Sequence, residues 1–190
     1  MRFVPSSIPA VVVIEPDVHQ DPRGFFLETY HAGKYQAAGV GIHGVFVQDN
    51  RSRSVAGTIR GLHLQLRHPQ GKLVHVVEGE IFDVAVDVRR GSPTFGQWVG
   101  VTLSAANFKQ CYVPPGFAHG FAVTSPIAQV EYKCTNTYDA QDELGISWND
   151  PGIAIRWPVD QPFLSERDAR HPRLAEVVER LPVFDPKTDL

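Results

Sequence analysis

Residues 60–87, RGLHLQLRHPQGKLVHVVEGEIFDVAVD, constrain the fold most, because a histidine, an arginine and a lysine sit there among strand-forming residues. Lys72 to Val77 is rich in valine, Glu78-Gly79-Glu80 has a tight-turn composition, and Ile81 to Val88 alternates strictly, so three consecutive strands are expected. Phe82, Val84, Val86 and Val88 share one face of the last strand; Ile81, Asp83, Ala85 and Asp87 share the other. If that second face lines a barrel interior, Asp83 is a buried carboxylate in need of a partner, and Lys72 is the candidate. Period-2 geometry puts Arg60 and His63 on opposite faces, so both serve one pocket only if the strand kinks, and Gly61 is where a bulge is tolerated.

The flanking sequence extends this pattern. Val11 to Glu15 and Phe25 to Tyr30 read as extended segments around the turn-rich DVHQDPRG, and His31 to Ala38 as a short helix ending at Gly39. Phe25, Phe26 and Tyr30 either pack in the core or belong to a segment that leaves its own subunit to cover a partner's pocket. Val45 to Gln48 resumes a strand before a polar run, Asp49 to Ser54. Gly96 to Leu103 is strand-like, Cys111 to Val123 reads strand, turn, strand, and Val130 to Tyr138 alternates with Tyr132 and Tyr138 on one face. Asp139 to Pro162 is expected as loop, Ser165 to Asp168 as a helix start, and Leu174 to Leu181 as a short amphipathic helix. Many short strands, Gly and Pro turns and few helices argue for an all-β jelly-roll barrel or sandwich with short peripheral helices.

At 190 residues and 43% hydrophobic content the chain is expected to be a single domain, residues 1–190. A net charge of −3 gives no electrostatic reason to expect nucleic acid or an anionic membrane. Two cysteines, Cys111 and Cys134, make a poor disulfide framework, and the N-terminal residues hold no apolar run long enough for a signal peptide or spanning helix, so a cytoplasmic location is expected.

The candidate chemistry is a set of polar residues scattered over several strands. Taken alone, a histidine such as His63 in an apolar strand is more often a hydrogen-bonded structural histidine. The run Pro114 to His119 resembles the P-x-G-x-x-H motif of the cupin superfamily, yet metal-binding cupins usually carry H-x-H in their first motif, where this chain reads His63-Leu64-Gln65. A three-His site would have to recruit His75, whose strand parity opposes Lys72, so no metal and no cofactor is expected. Without a metal, the residue types suit proton removal next to a ketone: His63 as base, Lys72 on the enolate oxygen, Tyr132 or Tyr138 as acid. A carboxylate on His63 would fix its tautomer and raise its basicity.

Several motifs go further. Arg23-Gly24-Phe25-Phe26, Gln48-Asp49-Asn50, Arg60-Gly61-Leu62-His63, Gln70 to Val74, Phe82 to Asp87, Ser92 to Gly96 and Gly116 to Phe121, in this order, closely resemble the dTDP-4-dehydrorhamnose 3,5-epimerase family from about Ile8 to Pro172. The resemblance implies a metal-free cupin-type jelly roll and a homodimer in which residues 1–30 are exchanged, with 172–190 as a C-terminal tail. The implied substrate is dTDP-4-dehydro-6-deoxy-D-glucose, inverted at C3 and C5 on the way to dTDP-L-rhamnose. By position, His63 is then the base, Asp168 its carboxylate partner, Lys72 the enolate stabiliser and Tyr132 the acid. Implied substrate contacts are Arg23, Phe26, Glu28, Gln48, Asp49 and Asn50 in the first third of the chain. Arg60, His119, Glu143 and Arg167 follow, with Tyr138 stacking on thymine; Arg167 stands where some members have Lys. A diphosphate suits arginines, whose planar forks meet phosphate oxygens bidentately. An epimerase acting on one centre, C3 or C5, and a sugar-binding or metal-dependent cupin remain as alternatives.

Overall fold

The computed structural model describes residues 1–41 and 44–186, so the end of the expected tail, 187–190, lies outside the described residues. A six-stranded sheet is ordered β1 (Arg2–Pro5), β2 (Val12–Glu15), β10 (Gln110–Val113), β7 (Lys72–Glu78), β12 (Ile127–Cys134) and β5 (Gln48–Val55), numbered along the chain. A five-stranded sheet is ordered β13 (Glu143–Gly145), β6 (Ile59–Gln65), β11 (Phe117–Val123), β8 (Glu80–Asp87) and β9 (Trp98–Ser104). A separate hairpin pairs β3 (Val18–Asp21) with β4 (Gly24–Leu27). The two sheets face one another as the expected cupin-type jelly roll.

Between the sheets lie Val74, Val76, Val113 and Val130 from one side and Ile81, Ala85, Leu103, Phe117, Phe121 and Val123 from the other. The alternation of β8 explains the second core. Val84, Val86 and Val88 point away from the sandwich interior and are covered by Ile146, Ile153, Leu174, Val177 and Leu181 of the C-terminal segment. Burying each such side chain contributes roughly 1.5–3 kcal/mol. On the outer face of the larger sheet, helix α1 (Ala32–Ala37) drives the fully buried Tyr35 against Ile14, Leu73 and Tyr112, and the Tyr35 hydroxyl donates to Gln110 Oε1 at 2.8 Å. Helix α2 (Leu174–Val177) and the 3₁₀ turns Asp168–Arg170 and Val178–Arg180 complete the helical content where helix was expected after Ser165.

Several expectations change. The strand expected over Val45 to Gln48 begins only at Gln48 and runs on to Val55, so the polar run Asp49 to Ser54 is the body of β5, paired over its whole length with β12. It has no hydrophobic period because its inward face lines a polar pocket. The strand expected over Val130 to Tyr138 ends at Cys134, and β13 lies within the segment read as loop. β1 and β2 join the chain's own sheet through β10, so of residues 1–30 only the hairpin β3–β4 stands apart, with Phe25 and Phe26 60% and 71% exposed.

The kink anticipated at Gly61 is present. β11 sets His119 opposite His63 and Phe121 opposite Arg60, so three steps along β6 match two along β11. Gly61 takes up the extra residue at φ 108°, and a Cβ there would fall 2.5 Å from the His119 carbonyl oxygen. The bulge therefore turns Arg60 and His63 into one pocket, and no other residue fits the position.

Candidate active site

The pocket occupies about 320 Å³ and opens between the sheets. Arg60 and His63 of β6, His119 and Phe121 of β11 and Glu143 of β13 line it from the smaller sheet; Ser52 of β5, Lys72 of β7 and Tyr132 of β12 line it from the larger one. Tyr138, Ser165, Arg167 and Asp168 close it from the loops.

His63 Nε2 stands 2.6 Å from Asp168 Oδ1. Asp168 is buried and begins a 3₁₀ turn whose entry is fixed by the Ser165 hydroxyl accepting from the Asp168 N–H at 3.0 Å. Burial pushes the Asp168 carboxyl up, but the hydrogen bond and charge of His63, with the Ser165 bond, outweigh it and hold the carboxyl below its ordinary value. An ionised Asp168 accepts a hydrogen bond from the Nε2–H of neutral His63 and so leaves the imidazole lone pair on Nδ1.

Lys72, across the pocket from His63, makes no hydrogen bond among the described residues, and burial draws its ammonium below the ordinary lysine value, a fall that the neighbouring Glu143 and Asp83 only partly offset. A desolvated cation without a donor contact is suited to an oxygen that gains negative charge. Tyr132 is raised above its ordinary value, chiefly by burial, so it keeps its proton through the neutral range. Arg60 is held by its Nε–H donating to Ser54 Oγ at 3.0 Å. Arg167 pairs with Glu143 at 2.6 Å, and the neighbouring Tyr138 and Glu143 raise its already high value.

Asp83 is buried, but its partner is His119 rather than Lys72: His119 Nε2 lies 2.7 Å from Asp83 Oδ1. The reason is register. β11 lies beside β8 in the smaller sheet, whereas Lys72 belongs to the other sheet. His75 lies on the outer face of β7 with Glu131 at 3.3 Å, so it does not join His63 and His119 as a third ligand.

The four residues assigned to chemistry, His63, Lys72, Tyr132 and Asp168, thus meet in one pocket with Arg60, His119, Tyr138, Glu143 and Arg167. Gln48 and Asn50 share the inward face of β5 with Ser52, and Gln48 Oε1 accepts from the Tyr138 N–H at 2.8 Å. Asp49 does not belong with them: period-2 geometry turns it outward, where it holds Lys133 at 3.0 Å. Arg23, Phe26 and Glu28 lie on or beside the hairpin and are not brought to this pocket within the chain; Arg23 pairs with Asp21 at 2.5 Å and Glu28 with Lys34 at 2.7 Å. Ser52, Phe121 and Ser165 went unnoticed. Ser52 was legible once β5 was extended through its polar run, and Ser165 from its cap position three residues before Asp168.

Residues 5–176 match the family described as dTDP-4-dehydrorhamnose 3,5-epimerase. Among similar curated proteins, the enzyme of that name from Shigella flexneri is 52% identical over 88% of this chain and 93% of its own. The one from Pseudomonas aeruginosa is 51% identical over 93% and 97%. A dTDP-4-dehydrorhamnose 3-epimerase from Streptomyces niveus is 41% identical over 93% and 85%. The crystal structure of dTDP-6-deoxy-D-glucose-3,5-epimerase from Legionella pneumophila Philadelphia 1, in complex with dTDP-4-keto-L-rhamnose, superposes with a TM-score of 0.94 at 48% identity, covering 97% of this chain and 98% of that one.

Proposed function

The chain belongs to the dTDP-4-dehydrorhamnose 3,5-epimerase family, and from that premise we propose that its pocket inverts C3 and C5 of dTDP-4-dehydro-6-deoxy-D-glucose to give dTDP-4-dehydro-L-rhamnose. The chain is an isomerase of the carbohydrate epimerase class. The observation that carries the mechanism is the placement of His63 and Tyr132 on opposite sheets of one pocket, with Lys72 on the strand next to that of Tyr132.

A proton next to the C4 ketone is removed by the His63 lone pair, and the electrons move onto the ketone oxygen as an enolate. Lys72 stabilises that oxygen, which flanks both reacting carbons and so serves both steps. Tyr132 returns a proton from the wall opposite His63, and return on the opposite face is what inverts the centre. Asp168 keeps His63 in one tautomer and stabilises the imidazolium that forms. Arg60 and Arg167 meet the diphosphate, and Tyr138, half exposed at the mouth, stacks on thymine.

A homodimer completes the site in this reading. The exposed Phe25 and Phe26 carry the hairpin β3–β4 onto a second copy, where Arg23, Phe26 and Glu28 reach the partner's pocket. The described residues act as one catalytic domain, since both sheets share the interior core. Two buried free cysteines fit a reducing compartment, the cytoplasm, and among the described residues no helix is long and apolar enough to cross a membrane.

The deciding experiment follows deuterium entry at C3 and C5 by NMR in D2O, with product trapped by a rhamnose-forming reductase. Entry at both carbons with trapped dTDP-rhamnose is expected. Entry at one carbon moves the chain to the single-centre epimerases, and none removes the epimerase reading.

A further inference from the structure

His171 has no part in the mechanism above, yet it stands against its centre. Its ring meets that of His63 edge-on at 5.3 Å between centroids, and its Nδ1 lies 3.8 Å from Asp168 Oδ1. The side chain is only 8% exposed, and Nδ1 is buried without a hydrogen-bond partner. Gly145 makes this placement possible, since a Cβ there would fall 2.2 Å from the imidazole. One ligand atom from each of His63, Asp168 and His171 lies within 4.8 Å of the others.

We propose that His63, Asp168 and His171 form a binding site for a borderline divalent transition cation, of which Zn²⁺ is the type, and that the cation inhibits the enzyme. Two imidazoles and a carboxylate are a donor set such ions favour over Mg²⁺ or Ca²⁺. Ligand bonds of about 2.0–2.2 Å set tetrahedral donors about 3.4 Å apart, so binding requires the 2.6 Å His63–Asp168 contact to open and the 3.8 Å Asp168–His171 separation to close. His63 and Asp168 both line the pocket, so a fourth ligand, water or a substrate oxygen, would come from that side. Glu143 already neutralises Arg167 at 2.6 Å, so the nearest guanidinium is compensated. These ligands differ from the P-x-G-x-x-H histidine, His119, which is committed to Asp83 at 2.7 Å.

Inhibition follows from proton counting. Neutral imidazole has one N–H and one lone pair. A metal on either nitrogen of His63 takes a lone pair, and the ring proton is left on the other nitrogen, so no lone pair remains to accept a proton from carbon. The inhibitory half of this inference rests on His63 as the base; the binding half does not.

The test uses chelator-treated full-length protein. Titration with Co²⁺ is expected to show one equivalent bound with the visible absorption of four-coordinate cobalt. Buffered free Zn²⁺ is expected to suppress turnover reversibly, each variant being referred to its own metal-free rate. His171→Ala and His171→Asn should lose the cobalt band and raise the half-inhibiting Zn²⁺ concentration by about 10-fold or more. If the alanine variant does not fold, the asparagine variant carries the comparison. No cobalt binding by the wild type, or equal cobalt binding and Zn²⁺ sensitivity in wild type and variants, overturns the proposal. Cobalt bound as expected without loss of turnover keeps the binding site but overturns the inhibitory half of the proposal, and with it His63 as base.

Discussion

His63 of β6 and His119 of β11 are direct register partners, and each imidazole is anchored by its own buried carboxylate, Asp168 at 2.6 Å and Asp83 at 2.7 Å. The two anchors differ in origin. Asp83 comes from the adjacent strand of the same sheet, whereas Asp168 arrives from the C-terminal segment over a separation of 105 residues. The His63 pair therefore depends on docking of that segment, and the base is assembled late in the chain's own order.

His63→Ala is expected to lower kcat by about 10²-fold or more with substrate affinity largely kept, the usual scale for losing a general base. Asp168→Asn should follow it in direction, because an amide no longer enforces the tautomer. Steady-state kinetics beside binding of dTDP separates the two quantities, and activity of His63→Ala within a few-fold of wild type would take His63 out of the base role.

Tyr132→Phe should impair reprotonation more than abstraction, so that deuterium exchange at C3 and C5 outlasts net inversion. Its wall of the pocket is the larger sheet, opposite His63, and no other tyrosine lies on that wall within β12. Loss of exchange and inversion together would reassign Tyr132 to positioning.

Lys72 loses its proton at a lower pH than a free lysine because burial disfavours its charge. The cation that stabilises the enolate is present below its lowered value and lost as pH rises through it. The basic limb of kcat is thus expected below the ordinary lysine range. Lys72→Met should remove that limb and cost on the order of 10²–10³-fold in kcat. A pH–rate profile of wild type and variant checks both points.

Asp87 is fully buried; burial pushes its carboxyl up, but Arg89, Ser92 and Thr94 outweigh that and hold it below the ordinary 3.8. A depressed folded-state value means the stabilisation is complete above the unfolded value and is lost as pH falls through the folded one. Asp87→Ala should remove this dependence and cost up to about 3–5 kcal/mol, since Arg89 loses its bidentate partner. Denaturant unfolding of both proteins at neutral and acid pH reads the difference.

What the sequence made legible follows from where apolar and polar faces alternate. Ile81 to Val88 was legible as a strand because its faces differ, Val84, Val86 and Val88 packing under Leu174, Val177 and Leu181 while Asp83 and Asp87 share the other face with Ile81 and Ala85. β5 escaped because Gln48, Asn50 and Ser52 face a polar pocket and Asp49 and Arg51 face outward, leaving no hydrophobic period to detect. The bulge at Gly61 was deducible from Arg60 and His63 needing one pocket. The partner of Asp83 was not, since it depends on β11 lying beside β8, a register set by contacts 36 residues apart. His171 carried no signal at all: its place beside His63 comes from the space left by Gly145 of β13.

The hairpin β3–β4 gives the last prediction. Phe25 packs edge-on against Phe108 of its own chain at 4.8 Å between centroids, yet remains 60% exposed, and Phe26 is 71% exposed. Two adjacent phenylalanines left largely in water on a two-stranded projection are costly unless another surface covers them. Light scattering of the purified protein is therefore expected to give twice the chain mass of 21.1 kDa. Phe26→Ser should raise KM more than it lowers kcat, because the His63, Lys72 and Tyr132 walls stay intact while the partner's cover is weakened. A concentration-independent monomer with full activity would detach the hairpin from the pocket and return Arg23, Phe26 and Glu28 to surface residues.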